Sequence, residues 1–189
     1  MIIRGDQVVT PQGTGAWDIC VTGETIAAVA SPGTFDSSQA GQVIDATGKI
    51  IIPGGIDPHI HSLWHIPPLE EGGEVSWTDG PDVVSKAAIH GGTTTLLDFA
   101  NWQQSGTLEE VINIRKQDWS GNCYADYGYH VMLQGAIPPE ILPQIGEVIQ
   151  EGYPSIKIFT TDITPSRRGR KICLLYTSDA ADEGLGVDL

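Results

Sequence analysis

The sequence predicts an α/β chain. A small β domain occupies residues 1–50, and the first four or so β/α units of a parallel (β/α)8 barrel occupy residues 51–172. Three observations predict it. Residues 1–50 hold only short β-prone pieces separated by turn signals. From residue 51 onward, apolar strand-like runs alternate with helical runs, the rhythm of consecutive parallel strands joined by right-handed crossovers. His59 and His61 close the first of those runs, and barrel enzymes place their chemistry at the C-terminal ends of strands.

In the β domain the pieces are Met1 to Ile3, Gln7 to Thr10, Trp17 to Val21, Thr25 to Ala30 and Gln42 to Ala46. Pro11-Gln12-Gly13, Gly23-Glu24 and Pro32-Gly33 break them. So few strands cannot bury two faces, and further strands are expected from elsewhere. In the barrel segment, strand one is expected over Ile52 to His59, followed by a loop from Ser62 to Gly80. A helix runs from Pro81 at its first position to His90, where Gly91-Gly92 ends it. Strand two covers Thr93 to Phe99. Thr107 to Trp119 is a helix with Glu109 and Glu110 in its first turn. Strand three spans Tyr124 to Leu133, a third helix Pro138 to Glu151, and strand four Ser155 to Phe159. A whole barrel takes roughly 250 residues, so about half is present.

Composition narrows the function. The formal charge is −14, and an acidic chain argues against nucleic acid or an anionic membrane as partner. The one basic cluster, Arg167, Arg168, Arg170 and Lys171, is too short for a nucleic-acid footprint. Arg4 and Asp6 interrupt any apolar leader, and no apolar run approaches the roughly 18 residues of a membrane span. Cys20 and Cys123 suggest neither a disulfide framework nor a metal knuckle, which fits a reducing cytoplasm. The stretch from Cys173 onward reads as translated sequencing-adapter DNA. Residues 173–189 are therefore expected to be a non-native tail, with native sequence ending near Lys171 or Ile172.

The chemistry-bearing feature is His59-Ile60-His61. On a strand, residues two apart share a face, so both imidazoles could grip one metal ion, with Asp57 one step earlier on that face. A lone His-x-His is more often a surface or core pair; its place at a strand end raises its standing. Among the other histidines, His65 reads as a rim residue, His90 as a helix-end residue and His130 as a hydrogen-bonded residue behind the site. Asp98, ending strand two, could orient a metal ligand. Trp64, Trp77 and Trp102 fall in loops at the same end and could wall a substrate pocket.

Three pieces carry a resemblance: PGGIDPHIH at 53–61, HGGTTTLLDF at 90–99 and PSIKIF at 154–159, with the opening MIIRGDQVVTPQG in support. Together they resemble the cyclic amidohydrolases, nearest the dihydropyrimidinase/hydantoinase branch. The resemblance implies two divalent metal ions, usually zinc, sharing a hydroxide that opens a cyclic amide at its C–N bond. It implies that His59 and His61 bind the more buried metal, and that Lys157, carboxylated by CO2, bridges both. Read without the motif, a single Lys in an apolar strand is an edge residue with its head in solvent. Free Lys is cationic at neutral pH; burial beside cations favours the neutral amine that can capture CO2. The family's other histidine ligands and its catalytic aspartate come from later strands, and family members commonly form homotetramers. The residues at hand are thus expected neither to hydrolyse amides nor to fold stably by themselves.

One departure stands out. Five residues after the bridging lysine the family has a tyrosine that stabilises the oxyanion, and Asp162 stands there instead. An ionised carboxylate cannot donate that hydrogen bond. An allantoinase or dihydroorotase is the enzymatic alternative, and a non-catalytic scaffold relative the other.

Overall fold

The computed structural model describes residues 1–66, 68 and 72–159. Asp162, the basic cluster and the tail from Cys173 lie outside the described residues. The chain forms two compact units, Met1–Gly54 and a second beginning at Gly55.

The first unit is a five-stranded sheet. Strands β1 (Ile2–Thr10), β2 (Gly13–Thr22) and β3 (Thr25–Ala30) form an antiparallel meander, and β4 (Val43–Asp45) and β5 (Ile50–Ile51) both run parallel to β1 on its other edge. The two N-terminal pieces expected from sequence are one strand, with its register shifted between Gly5 and Val8. At Gly5 a β-carbon would lie 2.6 Å from the tip of the Ile51 side chain, which would have to shift. Asp18, buried in this unit, accepts from the Gly33 amide and pairs with Arg4. Ile3, Val8, Ile19, Val21, Ile26 and Val29 line an open apolar groove of about 500 Å3, so the sheet leaves one face uncovered.

The second unit is a four-stranded parallel sheet. Its strands are β6 (Gly55–Asp57), β9 (Thr93–Trp102), β10 (Asp126–Leu133) and β11 (Ile156–Ile158), and they lie side by side in chain order. Between β6 and β9 the loop carries a small antiparallel ladder, β7 (His65–Ile66) with β8 (Ser76–Trp77), which the sequence reading left as plain loop. Ser62 Oγ and the Leu63 amide both donate to the Asp79 carbonyl and close the neck of that loop.

Three helices follow. Helix α1 (Pro81–His90) begins with proline at its first turn and ends at Gly91, with Gly92 at φ +87°. Helix α2 (Leu108–Trp119) opens on a capping box: Thr107 Oγ1 accepts from the Glu110 amide, and the Glu110 carboxylate accepts from the Thr107 amide. Its buried stripe is Leu108, Ile112, Arg115 and Trp119, the spacing of one helical face. Helix α3 (Leu142–Gln150) is shorter than expected, because Pro139–Ile141 is a separate 3-10 turn. Pro143 has no amide hydrogen to return to residue 139, so the α-helical ladder cannot extend back through that turn.

The core lies between sheet and helices. Leu96, Ala100 and Trp102 of β9 and Tyr129, Val131 and Leu133 of β10 pack with Leu108, Ile112 and Trp119 of α2. The neighbouring side chains alternate to the opposite face, which carries Phe99, His130 and Lys157: His130 is level with Phe99, and Lys157 with Met132. No helix among the described residues is long and apolar enough to cross a membrane.

Ile112 is fully buried in this core. Ile112→Ala is expected to cost about 2–5 kcal/mol and Ile112→Val about 1 kcal/mol. The check is the urea midpoint of the complete protein at unchanged slope.

Candidate metal centre

Strand β6 stops at Asp57 because Pro58 has no amide hydrogen for the ladder. His59 and His61 therefore lie beyond the strand, and strand alternation does not bring them together. Two backbone contacts do. Asp57 Oδ1 accepts from the His59 amide at 3.1 Å, an Asx turn, and the Ile60 amide donates to the Leu97 carbonyl at 3.1 Å. One oxygen of the carboxylate expected on the metal-facing side thus binds its own backbone. The turn places His59 Nε2 and His61 Nε2 3.2 Å apart.

Lys157 comes from the far edge of the sheet, with Nζ 3.5 Å from His59 Nε2. Phe99 is the floor beneath all three. Its ring centroid is 4.7 Å from that of His59, 4.9 Å from that of His61 and 4.2 Å from Lys157 Nζ. Trp64 closes one side, its ring 4.3 Å from His61.

Two N–H groups cannot face each other at 3.2 Å, so at least one Nε2 presents a lone pair. Burial pushes the His61 pKa below its ordinary value, and the neighbouring Lys157 and His59 charges push the same way against Asp98. The neutral imidazole is the form that binds a metal. Two zinc–nitrogen bonds of about 2.0–2.1 Å at a tetrahedral angle set the nitrogens roughly 3.3–3.4 Å apart. The observed 3.2 Å fits a shared cation. His61 Nδ1 is buried without a hydrogen-bond partner among the described residues. Those residues contain no group of three or more His, Cys, Asp or Glu able to hold a metal; the third nitrogen here is a lysine's.

Other candidates sit elsewhere. Asp98 is fully buried on the helix-facing side of β9, level with Tyr129, and cannot orient either histidine directly. It accepts from Arg115 and from Trp119 Nε1. Trp102 is not in a loop but is the last residue of β9; it is buried, donating Nε1–H to the Gly106 carbonyl. Trp77 is exposed against His65 on the small ladder. His90 Nδ1 lies 2.7 Å from the Lys86 carbonyl within α1. His130 contacts Ser155 Oγ and the Pro58 carbonyl. A cleft of about 510 Å3 lined by Trp64, Trp77, Phe99 and Asn101 adjoins the histidines, and Asn101 Oδ1 is buried there without a partner among the described residues.

Sequence reasoning missed Phe99 and Arg115. The signal for Arg115 was a charge on the apolar stripe of α2, three residues after Ile112. Phe99 gave none beyond being an apolar residue of strand two.

No family model matches the chain. It is 34% identical over 160 residues to a D-hydantoinase of Streptomyces coelicolor, covering 84% of this chain and 33% of that protein. It is 31% identical over 137 residues to a dihydropyrimidinase of Rattus norvegicus, covering 70% of this chain and 25% of the relative. Among solved structures, the dihydropyrimidinase from Brevibacillus agri NCHU1002 superposes with a TM-score of 0.72 at 33% identity, covering 87% of this chain and 34% of that one. The chain thus spans about a third of the length of these relatives. Its α/β fold, with a curled parallel sheet, is the one found in the hydantoinase structures. In sequence and in fold alike, the chain is thus a homologue of D-hydantoinases and dihydropyrimidinases over the third of their length that it spans.

Proposed function

We propose that the protein carrying this chain is a metal-dependent hydrolase of cyclic amides, opening a dihydropyrimidine- or hydantoin-type ring at a C–N bond. The observation that carries this reading is the convergence of His59 Nε2, His61 Nε2 and Lys157 Nζ over Phe99, in a homologue of hydantoinases. His59 and His61 would hold one divalent cation, most readily zinc, and carboxylated Lys157 would join it to a second. When bound, such cations supply Lewis acidity for the ring carbonyl and lower the pKa of water.

The chain's own residues prepare that chemistry. The Lys157 ammonium first loses one proton to solvent, and joining the neutral Nζ to the carbon of CO2 then releases a second. An ammonium facing His59 becomes an anion offering two oxygens, which turns repulsion of a cation into attraction. Phe99 and Trp64 pack on the His61 ring and limit its exposure to water, while His59 stays exposed. The lowered pKa of His61 keeps its lone pair free near neutral pH.

In this reading the four-stranded sheet is the opening half of a (β/α)8 barrel, residues 1–50 are part of a small β domain, and residues 173–189 are adapter-derived. The parent protein acts on a small cyclic amide in the cytoplasm as a homo-oligomer, a tetramer by resemblance. Asp162 favours a second reading, an allantoinase- or dihydroorotase-type substrate, because an ionised carboxylate opposes a developing oxyanion. A scaffold role is disfavoured, since His59, His61 and Lys157 all stand in place.

Metal analysis of the complete protein is expected to find about two zinc ions per subunit, bound by a paired-metal site. Chelation should abolish hydrolysis and added zinc restore it, and His59→Ala or His61→Ala should lower kcat at least about a thousandfold. Metal-free protein that still turns over cyclic amides would sink the reading.

Substrate identity is read by assaying dihydrouracil, hydantoin, allantoin and dihydroorotate. Asp162→Tyr is expected to raise kcat/KM on hydantoin or dihydrouracil by about tenfold or more. Efficient turnover confined to dihydrouracil before substitution would show that Asp162 does not set the substrate.

Residues 1–189 expressed alone are expected to be inactive. β6 and β11 each pair on one side only among the described residues, and the groove of the first unit is open. A cooperative thermal transition with bound zinc and turnover would overturn this expectation.

A further inference from the structure

Taking His59 and His61 as metal ligands, we propose that Arg115 and His130 are positioning residues that clamp the His59–His61 turn from both ends. They set the two imidazoles before any cation arrives.

The turn is outside the sheet ladder, so its geometry needs other holders. Its flanking carbonyls, Pro58 and Ser62, each have one. His130 Nε2 lies 2.8 Å from the Pro58 carbonyl, and Arg115 Nη2 donates to the Ser62 carbonyl at 2.7 Å. A carbonyl only accepts, so His130 carries its proton on Nε2. Nδ1 then accepts from Ser155 Oγ at 2.6 Å, unless the ring is doubly protonated. Ser155 precedes Lys157 by two residues, so one imidazole ties the His59 side of the turn to the segment that delivers the lysine. The His130 ring also packs on Phe99 at 5.1 Å, the same floor that supports His59 and His61.

At the other end Arg115 is itself fixed. Its guanidinium binds buried Asp98 and reaches Asp118 Oδ2 at 2.8 Å, while Trp119 Nε1 donates to the same Asp98 oxygen at 3.1 Å. Ser62 is fully buried, and its hydroxyl and the next amide are pinned to Asp79. The residue after His61 therefore has little freedom. Asp98 does act on the histidines, but through Arg115 and the backbone.

The test uses the complete protein in three variants. His130→Leu removes the donor to Pro58. His130→Gln keeps an amide N–H where Nε2 stood. Asp98→Asn/Arg115→Met removes both buried charges together, because Arg115→Met alone would strand the carboxylate and risk unfolding. The probes are zinc affinity by chelator competition, the urea midpoint of metal-free protein, and the Nε2–Nε2 separation in metal-free crystals. His130→Leu and the double variant are expected to lose about 10–100-fold in zinc affinity, beyond any change in metal-free stability. They should also widen the separation beyond 3.2 Å. His130→Gln should recover most of the loss. Unsubstituted affinity and spacing in His130→Leu and the double variant would overturn the clamp while leaving the metal reading intact; so would His130→Gln behaving like His130→Leu. If the unsubstituted protein binds no zinc, the metal reading falls, and the metal-free spacing alone decides the clamp.

Discussion

The register of β9 is the constraint on which the rest of the second unit depends. Leu96, Asp98, Ala100 and Trp102 face the helices, and Phe99 faces the histidines. A slip of one residue would exchange the two sets. Asp98 would then lie among imidazoles and Phe99 would abut Arg115, so both the ion pair and the floor would be lost at once. The strand pairs with β6 on one side and along the whole of β10 on the other. Its two faces therefore specify one register twice over, by apolar packing on one side and by the buried carboxylate on the same side, with the aromatic floor opposite.

The Asp98–Arg115 pair lets that register carry a charge into the core. Breaking a buried pair by removing one partner costs about 3–5 kcal/mol, because the survivor is left uncompensated. Trp119 and the Ser62 carbonyl add hydrogen bonds to the pair, although Arg115 Nε is buried without a partner among the described residues. The imidazole cluster on the other face follows a different logic. There the charged groups are of one sign: Lys157 beside two basic rings, with no carboxylate paired to them among the described contacts. Burial first, and then these like charges, hold the His61 pKa below its ordinary value. A histidine whose folded pKa lies below 6.5 binds fewer protons folded than unfolded, so its contribution turns destabilising as pH falls below that value. Protons and a cation compete for the same nitrogen, and the environment disfavours the proton.

Much of the fold was legible from local pattern. Helix α1 has the bounds that Pro81 and the Gly91-Gly92 pair dictate, and α2 begins where Thr107 and Glu110 can cap it. What was not legible needed contacts distant in sequence. The β7–β8 ladder pairs residues across a loop with no strand pattern of its own. The join of two N-terminal pieces into β1 includes a register shift between Gly5 and Val8, where the chain packs close to Ile51. Trp102 and Asp98 were misplaced for one reason: strand two runs three residues beyond Phe99, and the face of each residue follows from pairing with β10. The site shows the same division. The His-x-His spacing was visible, but the reason for its closeness is a turn and not a strand. Lys157 lies 98 residues away from His59, and only the family resemblance joined them in advance.

The nitrogens meet without help from the far side of any barrel. Each is fixed by a neighbour within the four-stranded sheet or by α2: His59 and His61 by the turn against β9, Lys157 by its rung beside Met132, and all three by the Phe99 ring. A ligand set assembled from consecutive strands needs only short-range register to be right, whereas one assembled across a barrel needs closure as well. That locality explains how a chain spanning a third of its relatives' length still brings these three side chains together. It also separates two properties that a complete enzyme would show as one. The spacing of the imidazoles follows from β6, β9, β10 and α2, whereas retention of a cation, in the proposed reading, would call on further ligands.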